Sequence, residues 1–104
     1  MIKHIVSWRI IETANASKEE NIIELKKRLL ALPAHIQYIK NPKVYCNAKE
    51  ANPDNFDIIL MADFNNLEEL KRYSIHPAHL ELINFLATIR TAKSAVDFYY
   101  DENQ

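Results

Sequence analysis

The sequence predicts an α+β chain in which four strands and two helical regions alternate in the order βαββαβ. Three observations carry that reading. Two polar capping signatures each precede apolar residues at helical spacing. Both ends of the chain alternate with period two, and two short stretches between the helices are rich in β-branched and aromatic residues.

The first stretch, "IKHIVSWRII" at residues 2–11, puts Ile2, His4, Val6, Trp8 and Ile10 on one side of a strand. Lys3, Ile5, Ser7, Arg9 and Ile11 fall on the other. Ser17 followed three residues later by Glu20 is a capping box, in which each side chain can satisfy a backbone donor at the helix start. The helix then runs through Ile22, Leu25, Leu29 and Leu32, with Ile23 and Leu30 widening the apolar stripe, and Pro33 marks its end. "HIQYIKNPKVYCN", residues 35–47, reads as one irregular strand, bent or bulged at Asn41 and Pro42. "FDIILMADF", residues 56–64, is apolar on both faces and suits a central strand. Asn66, with Glu69 three residues on, starts a short helix from Leu67 to Tyr73. A further helical stripe follows from Leu80 through Ile83 and Leu86 or Ala87 to Arg90. "AVDFYY", residues 95–100, closes the chain as a strand with Val96, Phe98 and Tyr100 on one face and Asp97 and Tyr99 on the other, before the polar tail "DENQ".

That order is the split βαβ, or ferredoxin-like, arrangement, whose helices cover one face of the sheet. The second face carries Ile5, Ile11, Ile59 and Met61, which is too apolar for water. A chain of 104 residues exposes a large share of its surface, so packing this face against a second copy would stabilise it. A homodimer is expected.

Composition removes several function classes. The chain has no glycine, so phosphate loops, Rossmann turns and nucleophile elbows are excluded, because each needs a residue without a side chain beside the ligand or at positive φ. The 13 basic and 14 acidic residues are interspersed, which gives no electrostatic footprint for nucleic acid or an anionic membrane. The opening "MIKHIVSWRI" lacks the apolar core of a signal peptide, and no stretch reaches the roughly 18 apolar residues of a spanning helix. A cytoplasmic protein is expected. The single cysteine, Cys46, ends an apolar run and reads as a buried, unreactive thiol.

Titratable groups concentrate in "YSIHPAH", residues 73–79. Pro77 has no amide hydrogen and disfavours helical geometry at His76, so it belongs at the first position of a helix, with His76 as the cap. His79 then lies in the first turn, where the dipole favours the neutral imidazole and suits it to accept a proton. The break also brings Tyr73 back toward His79. His4 shares its side of the first strand with Val6 and Trp8, so it is either satisfied by a side chain such as Tyr73 or faces a cavity. His76 and His79 are three apart, yet within five residues only Glu81 could join them, so no metal is expected. His35 reads as an exposed turn residue, and Trp8, Phe85 and Tyr38 as core or interface aromatics.

Taken together, "MIKHIV", "FDIILMADF", "YSIHPAH" and "VDFYY" resemble the stress-responsive dimeric α+β barrel family, and "HPAH" after a short helix is the most specific element. The resemblance spans nearly the whole chain. It implies a ferredoxin-like protomer whose sheet pairs with that of a second protomer to form a barrel, with a ligand pocket between sheet and helices in each. A plant polyketide cyclase of that family closes a ring by an intramolecular aldol reaction without a cofactor. By that resemblance Tyr73 and His79 are the catalytic pair, and His4, Val6, Trp8 and His76 belong to the ligand pocket. A further pocket histidine of the cyclase falls at Ile58, and the glycines common near the family's second strand are replaced by "ALPAHIQY" and "VYCN". The expected function is therefore acid–base chemistry on a small hydrophobic or carbonyl-containing ligand. Two alternatives stand beside it: a non-catalytic stress-associated or small-molecule-binding protein in which "HPAH" only starts a helix, and a cofactorless monooxygenase-like barrel.

Overall fold

The computed structural model describes residues 1–101; the last three residues of the polar tail lie outside it. The chain runs β1 (Ile2–Ile10), α1 (Lys18–Ala31), a 3₁₀ turn (Leu32–Ala34), β2 (Lys40–Cys46), β3 (Ile58–Phe64), α2 (Leu67–Ser74), α3 (Pro77–Ile89) and β4 (Arg90–Tyr99). The four strands form one antiparallel sheet in the order β2-β3-β1-β4. This is the ferredoxin-like βαββαβ fold.

Local chemistry explains the helix starts. The Glu20 N–H donates to Ser17 Oγ at 3.1 Å while the Ser17 N–H donates to Glu20 Oε1 at 3.0 Å, closing the capping box. The Glu69 N–H donates to Asn66 Oδ1 at 2.9 Å at the start of α2. The buried stripe of α1 is narrower than the sequence suggests: Leu25, Leu29 and Leu32 are buried, but Ile23 is 69% and Leu30 47% exposed. In their place Asn21 is buried, its Nδ2–H donating to the Ile11 carbonyl at 2.9 Å and tying α1 to the end of β1. The stripe of α3 shifts likewise, to Leu82, Leu86 and Ile89, and leaves Leu80 exposed in the first turn.

Two strand boundaries also differ. Residues 35–39 form turns rather than strand, although Ile36 and Ile39 are buried; the expected bulge is present, as a register shift between Lys40 and Lys43 with Asn41 at φ 50°. β4 starts five residues earlier than expected, directly from the end of α3.

The helix-facing side of the sheet carries Ile2, Val6, Trp8, Ile10, Leu60 and Phe64, all buried. Across the open side, register places Lys43, Met61, Ile5 and Val96 in one row and Tyr45, Ile59, Ser7 and Ser94 in the next. Val96 is 58% and Tyr45 56% exposed. One end of that face holds buried Asp63, whose Oδ1 accepts from Lys3 Nζ at 2.7 Å and from the Tyr100 hydroxyl at 2.7 Å, with Asn41 Nδ2 at 3.4 Å from Oδ2. Burial alone would raise the Asp63 carboxyl, but the bonds from Lys3, Tyr100 and Asn41 outweigh it and hold it below its ordinary value.

Candidate functional site

In an unbroken helix the Ser74 carbonyl would accept from the Ala78 N–H, four residues on. Pro77 prevents this, and His76 is held extended at φ −64° and ψ 138°. The two halves of the lost bond are taken up by the two imidazoles. The Ala78 N–H donates to His76 Nδ1 at 3.1 Å, which makes His76 the cap of α3. The Ser74 carbonyl accepts from His79 Nδ1 at 2.9 Å.

That second contact settles a tautomer. A carbonyl oxygen cannot donate, so the proton of neutral His79 sits on Nδ1 and the lone pair on Nε2. Nε2 makes no hydrogen bond among the described residues. Burial holds His79 below its ordinary pKa; the bond to Ser74 works the other way, and the charges of His4 and Lys93 push it down again. The imidazole is therefore neutral at physiological pH.

Tyr73, in the last turn of α2, is 2% exposed. Its ring lies 4.5 Å from that of His79, 4.9 Å from Phe64 and 6.2 Å from His4. Its hydroxyl has no hydrogen-bond partner among the described residues, and burial pushes the phenol well above its ordinary pKa, so it stays a donor. His4 is the register partner of Asp97 on β4, and its Nδ1–H donates to the Asp97 carboxylate. His4, Tyr73 and His79 thus face one another across the space between the sheet and the α2–α3 corner.

That space is a cavity of about 340 Å³. His4, Val6 and Trp8 of β1 line it with Tyr73, Ser74 and His79. Leu29, Leu60, Leu82 and Leu86 supply buried apolar wall. His76 is not among the lining residues, contrary to the expectation that put it in the pocket, because its ring is turned to the α3 amide it caps. Lys71, Lys93 and Asp97 line the cavity without having been anticipated. For Asp97 a signal existed: it lies on the face of β4 opposite Val96 and Phe98, hence on the helix side with His4. Away from the cavity, His35 is exposed, and so is Cys46, on an edge strand rather than in the core expected for it. No group of three or more His, Cys, Asp or Glu able to hold a metal lies among the described residues. No helix there is long and apolar enough to cross a membrane.

The site therefore combines a lone-pair acceptor, a neutral donor that cannot easily ionise and a second imidazole oriented by a carboxylate, in a mostly apolar enclosure. Comparison with known proteins agrees with the architecture. A protein-family model described as the Stress Responsive A/B Barrel Domain matches residues 2–100. Among solved structures, a dimeric protein of unknown function with a ferredoxin-like fold from Bacteroides fragilis is 30% identical over 95% of each chain, with a TM-score of 0.78. A dimeric ferredoxin-like protein of unknown function from Thermobifida fusca is 24% identical, covering 95% of this chain and 90% of that one at a TM-score of 0.78. A hydroxynitrile lyase from Passiflora edulis shares the fold at 16% identity and a TM-score of 0.79, covering 97% of this chain and 94% of that one. No curated protein matches the sequence.

Proposed function

We propose, from the premise that the chain belongs to the stress responsive A/B barrel domain family, that it is a homodimer with one small-molecule pocket per protomer, in which His79 and Tyr73 carry out cofactor-independent acid–base chemistry on a carbonyl compound. The observation that carries this reading is the pairing of His79 Nε2, left free by the Ser74 bond, with an unpartnered Tyr73 hydroxyl in the same cavity. The apolar open face of the sheet supports the dimer, as do two similar structures described as dimeric.

The chemistry follows from the two free valences. His79 Nε2 takes a proton from the carbon beside the carbonyl, and the electron pair of that C–H bond moves into a carbon–carbon double bond as the carbonyl oxygen becomes anionic. The Tyr73 O–H donates to that oxygen, more strongly as its charge develops, which is the condition for lowering the barrier. The imidazolium then returns the proton to the enolate carbon, and the electron pair of the carbon–carbon double bond forms the new C–H bond as the carbonyl is restored. The apolar walls exclude water that would otherwise compete for both groups.

Deuterium exchange at the α-carbon of simple ketones such as 4-phenyl-2-butanone in heavy water, followed by NMR, tests the step without knowledge of the natural substrate. His79→Gln should slow enzyme-dependent exchange by about 10²-fold or more, and Tyr73→Phe by a similar factor. Exchange unaltered in both variants would overturn the catalytic reading, and ligand binding without exchange would leave a binding protein.

A further inference from the structure

The cavity's polar groups are not scattered. Val6, Trp8, Leu29, Leu60, Leu82 and Leu86 are buried wall, and Tyr73 and His79 line the cavity with them. Lys71 and Lys93, which are exposed, come from α2 and β4 to its solvent end. We infer that the pocket takes an anionic carbonyl compound, an apolar keto acid whose hydrocarbon part fills the cavity and whose carboxylate meets Lys71 and Lys93 at the mouth. The inference rests on the pocket of the proposed function and names its substrate class.

Three observations support it. Neither lysine makes an ion pair among the described residues, a condition shared with most of the chain's basic side chains, so each ammonium is available to a ligand. Asp97, the one carboxylate lining the cavity, accepts from His4 Nδ1 through Oδ1 and makes no ion pair with either lysine among the described residues. The charge of Lys93 also reaches His79, which places the cation in the same electrostatic neighbourhood as the base. An ammonium at the edge of an apolar cavity with no anion of its own attracts an anionic ligand and orients it, because the local dielectric strengthens the interaction.

Trp8 is the chain's only tryptophan and lines the cavity, so its fluorescence reports occupancy. The probes are 5-oxodecanoate and its primary amide, which share size and ketone position and differ in charge. The carboxylate should bind at least about tenfold more tightly than the amide at low salt, with the ratio shrinking in 0.5 M NaCl. Lys71→Gln and Lys93→Gln should each weaken carboxylate binding about three- to tenfold and leave the amide unchanged. Equal binding of the two probes, or a ratio that survives both substitutions, overturns the anionic class while leaving the His79 reading intact. Unchanged deuterium exchange in His79→Gln would sink the catalytic reading without touching the ratio. No response of Trp8 to either probe at millimolar concentration overturns the pocket and the inference together.

Discussion

Replacing Tyr73 by phenylalanine should leave stability nearly unchanged while removing activity, a separation that a tyrosine whose hydroxyl holds the fold would not show. The ring is 2% exposed and packs 4.9 Å from Phe64 and 4.5 Å from His79, so Tyr73→Phe keeps the apolar contacts. Only the hydroxyl is lost, and it has no protein partner among the described residues. That hydroxyl is not among the side-chain atoms buried without a partner, so it opens onto the cavity it lines, where water can satisfy it and little desolvation cost is left to relieve. A change within about 0.5 kcal/mol is therefore expected, or a melting temperature within roughly 4 °C of the parent for a domain of this size. Tyr73→Ala supplies the contrast, because it deletes the ring and should cost about 3–5 kcal/mol. The assay is urea and thermal unfolding of the three proteins followed by far-UV circular dichroism. A loss of more than about 1 kcal/mol in Tyr73→Phe would show that the hydroxyl holds the fold together, and the case for a donor kept free for a ligand would collapse.

Other expectations follow from the same structure. Since His79 sits below its ordinary value of 6.5, the folded protein binds this proton less readily than the unfolded chain; stability is full above that pH and falls as pH drops through the lowered folded value. The slope of the urea midpoint between pH 7 and pH 5 should flatten in His79→Gln, and an unchanged slope would contradict the burial argument. For Asp63, whose carboxyl is held below its ordinary 3.8, the contribution is complete above that value and disappears as pH falls through the lowered one. Asp63→Asn should cost about 1–3 kcal/mol near neutrality, by chemical denaturation, because the bonds from Lys3 and Tyr100 lose their charged acceptor. Placing a charge on the open face with Val96→Lys should yield a folded monomer by light scattering, whereas a persistent dimer would move the interface elsewhere.

Much of the fold was legible because it is written locally. The Ser17–Glu20 box, the period-two stretch of β1 and the break at Pro77 each depend on residues within a few positions of one another. β4 was seen only from residue 95, because Arg90 to Ser94 lack apolar alternation; that edge strand is exposed along most of its length and takes its extended form from the ladder with β1. Exposure of Ile23, Leu30 and Leu80 escaped notice because helical spacing marks a stripe without telling which edge of it meets the sheet. Within the site, Tyr73, His79 and His4 stood out by chemistry. Asp97 did not, since its partner His4 is 93 positions away and only strand register brings them together.

The way His79 is held has a consequence for how such a pocket can change. Its orientation comes from a main-chain carbonyl at the end of α2 and its position from the first turn of α3, so no neighbouring side chain need be kept for the base to stay aimed. Val6, Leu60, Leu82 and Leu86 line the cavity and belong to the buried core as well, while Lys71 and Lys93 line it from exposed positions. In the function proposed above, reactivity and selectivity thereby fall to different parts of the chain. Under that function, the exposed lysines can be exchanged one at a time, and the walls resized where the core can repack, without moving the carbonyl that aims His79, which would let a single scaffold serve ligands of different shape.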